Sequence, residues 1–289
     1  MTSRLGQDLR WFAVRGAAGI SIPNATNSAS IRPVSTARVG ATRHNGYVSL
    51  YRDHAVVLRT QKLGEADRIV TLLMRGRGVV RAAAKGVRKT SSRFGARLEP
   101  FTQIDLQLAE GRSLDIITQV ETISPFGKDL GSNYPAYTAG TAMLETAERL
   151  VSEDGEPAVQ QYLLLVSGLR TLASGVRASG LILDSYQLRA LSIAGYAPTF
   201  SECATCGADG PHRNFNAASG GILCDACRPP GSANPSPFAV SLLAGLLSGD
   251  WVAVEQSDDR TRREASSLVG AYLSWHLERG LRSLGYVDR

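Results

Sequence analysis

Four cysteines carry the clearest chemistry in the chain, and all lie between Cys203 and Cys227. Cys203-x2-Cys206 and Cys224-x2-Cys227 are separated by 17 residues, inside the spacing window of a four-thiolate zinc site. Two residues between paired cysteines allow a tight turn, here helped by Gly207, that aims both sulfurs at one ion, and two such knuckles complete a tetrahedron. Four protein thiolates leave no open position for water or substrate, so one structural Zn2+ is expected rather than a catalytic one. The thiolates leave a formal charge of about −2, which backbone amides and the nearby Arg213 and Arg228 would offset. Two disulfides, a redox dithiol and buried free thiols are the competing uses. The paired spacing and the lack of any other cysteine favour metal, and the lack of an export signal favours a reducing cytosol. His212, between the knuckles, is a weaker candidate to replace one sulfur.

A second constellation is electrostatic. Arg75, Arg77, Arg81, Lys85, Arg88, Lys89, Arg93 and Arg97 place eight positive side chains in 23 residues that hold no acid. Such density along a strand and its following loop suits a phosphate backbone, because each neutralised phosphate releases counterions. Lys85-Gly86-Val87-Arg88-Lys89 reads as a flexible exposed loop able to follow such a backbone. A merely solvated face, or a docking surface for acidic protein or lipid, would use the same charges. Aromatic residues are scarce here, with Tyr51, Phe94, Phe101 and Phe126 the only ones from Val48 to Phe126. That scarcity argues against tight base stacking and for salt-sensitive, largely sequence-independent backbone contact. Catalytic signatures are missing: the chain has no phosphate-loop motif, no H-E-x-x-H and no G-x-S-x-G. Its four histidines are far apart in sequence, and a non-enzymatic role is expected.

The elements that must position these groups follow from periodicity. His54–Leu58, Ile69–Leu73 and Val79–Ala83 read as strands, and Ile104, Leu106 and Leu108 alternate toward a Glu110-Gly111-Arg112 turn before Leu114, Ile116, Thr118 and Val120 alternate again. Five short strands in about 75 residues make an OB-type barrel the economical choice. After Pro125 the period becomes helical. Tyr137–Val151 presents Met143, Ala147, Leu150 and Val151, and Val159–Leu172 presents Tyr162, Leu163, Val166 and Leu169. Leu181–Ala194 presents Leu181, Leu188 and Leu191; Phe238–Leu247 and Glu264–Leu277 follow, the last presenting Leu268, Tyr272 and Trp275. Phe215, Ile222 and Leu223 are expected to form a small local core between the knuckles. The fold class is α+β and multidomain: a disordered extension over 1–47, an OB-type β-barrel over 48–126, and an α-helical domain over 127–200 and 231–289. A four-cysteine zinc module over 201–230 is inserted in that helical domain. An Arg- and Ser-rich, acid-poor start also suits a transit peptide, and translation beginning near Val48 is a third reading.

Composition bounds the rest. The 289 residues are 43% apolar and 20% charged, which excludes wholesale disorder, collagen-like repeats and a disulfide-dense mini-protein. No apolar run approaches the ~20 residues of a transmembrane helix, so no membrane partner is expected. The formal charge of +6 hides a division: residues 1–126 carry +10 and residues 127–289 carry −4. Half of that basic excess, +5, lies in residues 1–47. The local stretch between Arg75 and Arg97, not the total, therefore carries the inference to an anionic partner.

Several segments together resemble the RecO family of bacterial recombination mediators and DNA repair proteins. They are Tyr51-Arg52-Asp53-His54-Ala55-Val56-Val57-Leu58, Leu63-Gly64-Glu65-Ala66-Asp67-Arg68-Ile69-Val70, Ala84-Lys85-Gly86-Val87-Arg88-Lys89 and Leu98-Glu99-Pro100-Phe101. Ala194-Gly195-Tyr196-Ala197-Pro198, leading into Cys203-Ala204-Thr205-Cys206-Gly207, completes the set. The resemblance runs from about Val48 to the C-terminus. It implies an N-terminal OB-fold, a helical domain and a zinc module in a cytoplasmic, nucleoid-associated protein. It also implies binding to single- and double-stranded DNA, annealing of complementary strands, and, with RecR, loading of RecA onto DNA covered by single-strand-binding protein. Matching basic positions make Lys85, Arg88 and Lys89, with Arg81 and Arg93 nearby, the expected DNA contacts. RecR and the acidic tail of single-strand-binding protein are the implied partners. A zinc-stabilised scaffold that docks acidic tails without binding DNA is the alternative.

Overall fold

The computed structural model describes residues 49–88, 92, 94–152, 155–277 and 280–287. The expectations for residues 1–47, for Lys89 and for Arg93 lie outside them. Five strands open the described chain: β1 (Leu50–Leu63), β2 (Asp67–Met74), β3 (Gly78–Ala84), β4 (Thr102–Ala109) and β5 (Asp115–Pro125). β1 pairs antiparallel with both β2 and β4, β2 with β3, and β4 with β5. The ring closes where β3 meets β5 in parallel, through Ala82↔Asp115 and Ala83↔Ile116. Its interior holds one core, with Val57, Val70, Leu72, Ile104, Leu106 and Leu108 among the buried side chains. Alternation on β4 follows from that single buried face.

β1 behaves differently. Ala55 and Val57 enter the ring, while Val56 and Leu58 point outward and are buried with the helices. A strand covered on both faces has no use for alternation, which is why His54 is followed by four consecutive apolar residues. Leu73 and Val79 join the outward set. Gly78, with φ +66, sits where a Cβ would lie 2.9 Å from the Ser152 carbonyl oxygen. Its missing side chain lets the turn before β3 touch the helical region, where Val79 N–H donates to the Ser152 carbonyl at 3.3 Å. Phe101 is a buried non-glycine residue with φ +67. Its N–H donates to Val57 O at 3.1 Å and its ring meets Tyr137 edge-on at 5.4 Å. A left-handed bulky residue is costly, and here the aromatic plug it places between sheet and helices accompanies that cost.

The helices are α1 (Phe126–Leu130), α2 (Tyr134–Leu150), α3 (Val159–Ser174), α4 (Ser179–Ile193), α5 (Pro237–Ser248), α6 (Trp251–Glu255) and α7 (Asp259–His276). Asn133 caps α2 by accepting from Ala136 N–H at 3.2 Å, with a proline in the first turn. The short α1 and α6 have too few turns to show a period in sequence. Leu181 through Leu191 of α4 are all buried, because one side packs with α2 and α3 and the other with α5 and α7. The sequence pattern predicts one apolar face there; a helix enclosed on all sides needs two. Leu163 and Trp275, expected in the core, are 45% and 59% exposed. Each lies at the margin of its helix's apolar stripe, where a rotation of one position separates core from solvent. Among the described residues, no helix is long and apolar enough to cross a membrane.

Between α4 and α5 the chain forms a two-stranded hairpin, β6 (Asn214–Asn216) and β7 (Gly221–Leu223). Phe215 and Ile222 do not form the separate local core expected of them. They join the cluster of Leu242, Leu268 and Tyr272, with the Phe215 and Tyr272 rings 6.0 Å apart. A three-residue hairpin is too small to bury a core of its own and borrows one from the helices.

Candidate nucleic-acid interface and metal centre

The ligand-type atoms of Cys203, Cys206, Cys224 and Cys227 all lie within 4.8 Å of one another. Cys206 Sγ and Cys224 Sγ are 3.8 Å apart. A tetrahedron with Zn–S bonds of about 2.3 Å has edges of about 3.8 Å, whereas a disulfide would need about 2.05 Å. The four sulfurs thus converge on one point instead of pairing, and the donor set fits a single tetrahedral divalent ion such as zinc. Their protonation preferences diverge. Backbone amides, first that of Cys224 and then that of Cys206, pull the Cys203 thiol down to about 6. Hydrogen bonding with the Cys224 and Cys206 sulfurs, more than burial, pushes Cys227 up to about 12. Four clustered thiols do not all ionise unaided, and a bound divalent cation would let them do so.

Local backbone contacts build the cluster. Cys203 N–H donates to Ala208 O at 2.9 Å and Gly207 N–H to Cys203 O at 2.9 Å, closing the first knuckle. Cys227 N–H donates to Cys224 O at 3.2 Å in the second, and Ala204 N–H to Ile222 O at 2.8 Å joins the two. His212 stands apart: its Nε2 lies 2.9 Å from Ala208 O and it is not among the four clustered donors. Asn214, which no spacing rule singles out, holds the second knuckle. Its Nδ2 donates to Leu223 O at 3.3 Å and to Asp225 Oδ1 at 2.8 Å, and its Oδ1 accepts from Arg228 at 3.4 Å.

The basic segment is sorted by folding into committed and available charges. Arg77 stacks 3.9 Å above the Tyr51 ring centroid and pairs with Glu110 at 3.7 Å. The Tyr51 hydroxyl donates to Asp115; burial, then that carboxylate, raises its pKa well above the ordinary value. Arg88 is exposed, yet its guanidinium donates to the Glu65 carbonyl at 2.8 Å and its backbone N–H to Ala66 O at 3.0 Å. Gly86 N–H donates to Asp67 Oδ1 at 2.7 Å and Val87 is buried. The described part of this loop is therefore pinned to the β1–β2 turn, in contrast to the free loop its composition suggests. The Arg97 guanidinium donates to Val120 O at 3.4 Å.

Arg81 and Lys85 are exposed, and neither has an ion-pair partner among the described residues. Arg81 lies opposite Thr71 on the outer face of β3, and Lys85 directly follows the strand. Four steps of extended chain separate them by roughly 13 Å. Glu110, distant in sequence, supplies an acid that the stretch itself lacks.

Two family models match the chain: Recombination protein O N terminal over residues 48–126 and Recombination protein O C terminal over residues 131–285. The chain belongs to the RecO family. It is 65% identical over 243 residues to the DNA repair protein RecO of Nocardioides sp., a match spanning 83% of this chain and all of that relative. The DNA repair protein RecO of Thermobifida fusca is 60% identical over 242 residues, and that of Streptomyces griseus 59% over 248, each covering 84% of this chain and 100% of the relative. The N-terminal family segment coincides with the five-stranded ring. The C-terminal segment spans the helices and the cysteine cluster.

Proposed function

We propose that this RecO-family chain is a non-enzymatic DNA-binding mediator that anneals complementary single strands and assists RecA loading in recombinational repair. The observation that carries the reading is the pair of exposed cations without ion-pair partners among the described residues, Arg81 on β3 and Lys85 just after it, in a chain whose relatives are named for DNA repair. Annealing requires that strands be gripped by their phosphates while the pairing edges stay free. Positive side chains on a face with few aromatic platforms meet that requirement. In this reading the five-stranded ring is an OB-type barrel over 48–126, and the helical regions 127–200 and 231–289 flank a module over 201–230 that holds one structural Zn2+. Arg88 contributes a charge at the pinned loop, and Lys89 and Arg93 are further DNA contacts. RecR and the acidic tail of single-strand-binding protein are the partners, and the setting is the cytoplasmic nucleoid.

A strand-annealing assay tests this. The full chain is mixed with two complementary oligonucleotides, with and without single-strand-binding protein, and duplex formation is followed by fluorescence quenching. Annealing faster than the protein-free rate is expected in both conditions. Binding to an acidic tail peptide with no DNA binding at low salt would instead establish the docking-scaffold alternative.

A further inference from the structure

We infer that Asn214 is the positioning residue of the metal centre: it fixes the second cysteine knuckle in its ligating shape and so governs how long the ion is retained. The inference rests on the zinc reading of the four cysteines and concerns a residue outside that set. Asn214 is only 5% exposed, and a buried amide is costly unless its hydrogen bonds are made. All three of its described side-chain contacts go to one segment. Leu223, whose carbonyl accepts from Nδ2 at 3.3 Å, immediately precedes Cys224. Asp225, whose Oδ1 accepts from the same nitrogen at 2.8 Å, immediately follows it. Arg228, which donates to Oδ1 at 3.4 Å, immediately follows Cys227. One side chain therefore brackets Cys224 on both sides and holds the exit from Cys227.

Alternation along β6 gives the arrangement its rigidity. Asn214 faces the knuckle, while the next residue, Phe215, is buried in the helical core against Tyr272. Phe215 is also paired to Ala233 through N–H···O contacts of 2.8 and 2.9 Å. The amide is thus mounted on a strand anchored to the folded body, and the knuckle is referenced to that body through it. Groups that orient metal ligands without touching the ion commonly change metal affinity by about 10–100-fold when removed. Asparagine is specific here because it supplies a donor for two oxygens and an acceptor for a cation from one planar group.

The test is zinc release from the full, zinc-loaded chain into excess 4-(2-pyridylazo)resorcinol, followed by absorbance. Asn214→Ala and the near-isosteric Asn214→Asp, which replaces the donor nitrogen by a second acceptor, are each expected to release zinc about 10-fold faster or more. Asp225→Asn, which removes a charge but keeps an acceptor, is expected to stay within about threefold of the parent. Phe215→Leu separates positioning from general loosening: it weakens the same hairpin from its apolar side, and release from the Asn214 variants must exceed release from it at matched thermal stability. Cobalt(II) substitution adds a spectroscopic readout, with weakened tetrahedral d–d bands expected in the Asn214 variants alone. If Asn214→Ala does not fold, Asn214→Asp carries the comparison. Release at the parental rate, or release that merely tracks stability as in Phe215→Leu, overturns the assignment of Asn214. A parent chain that binds no zinc overturns the zinc reading itself, a distinct result.

Discussion

Neutralising Arg81 and Lys85 together, as Arg81→Gln with Lys85→Gln, perturbs the proposed DNA contact with the least collateral change. Both side chains are exposed and neither is ion-paired among the described residues, so their loss leaves no buried acid stranded. Each cation that neutralises a phosphate on a single strand contributes about 0.7 to the slope of log K against log salt. Removing two should reduce that slope by about 1.4. At about 0.1 M salt the same two counterions correspond to roughly a 25-fold loss of affinity, or about 1.9 kcal/mol. The assay is fluorescence anisotropy of a labelled single-stranded oligonucleotide titrated with protein at several salt concentrations. It is run on a homopolymer and a mixed sequence, with circular dichroism and zinc content verifying an intact fold. Equal losses on both sequences are expected, because the contact is with the backbone. An unchanged slope in a folded, zinc-replete double variant would refute the argument. Arg88→Ala is a less clean probe, since its guanidinium also holds the Glu65 carbonyl at 2.8 Å.

Two further outcomes follow from other parts of the structure. Metal analysis of protein purified without chelator should find about one zinc per chain, and Cys203→Ser with Cys206→Ser should abolish it. That variant should melt about 10 °C lower, since metal binding adds directly to folding free energy and the hairpin it organises shares a core with α7. The third concerns Glu145. Burial alone would raise its pKa, but the Ser283 hydroxyl, the backbone amides of Arg282 and Ser283 and the Arg149 guanidinium together hold it below the ordinary 4.5. A depressed carboxyl stabilises the fold fully above its unfolded pKa, and that contribution is lost as pH falls through the folded value. Glu145→Gln should therefore cost about 1–2 kcal/mol at pH 7 in urea unfolding, with the gap to the parent closing as the pH drops below the ordinary 4.5. A gap that stays constant across that range would show that the carboxylate does not pin the C-terminal segment.

Much of the scaffold was legible in the sequence because its causes are local. Alternation at Ile104, Leu106 and Leu108 marks β4, and the helical period marks α2, α3, α5 and α7. The second face of α4 was illegible for the opposite reason: burial on all sides erases the polar stripe that a period needs. Phe101's left-handed backbone had no signal either, since its plug is set by residues of β1 and α2 that are remote in sequence. For the site, cysteine spacing identified all four donors, whereas Asn214 between them carried no motif.

The sequence by itself determined the four-cysteine cluster, the basic stretch and the boundary where strand alternation gives way to helical periodicity. Short-range steric and hydrogen-bonding rules suffice for each of these. Only the tertiary structure decided which charges remain available. It brought Glu110 against Arg77 and bound Arg88 to the β1–β2 turn, leaving Arg81 and Lys85, with Arg75, exposed and without an ion-pair partner among the described residues. It also carried the cysteine hairpin onto α7. Coulomb and packing energies depend on distance in space, and closing a sheet on itself sets those distances between residues that the chain holds far apart.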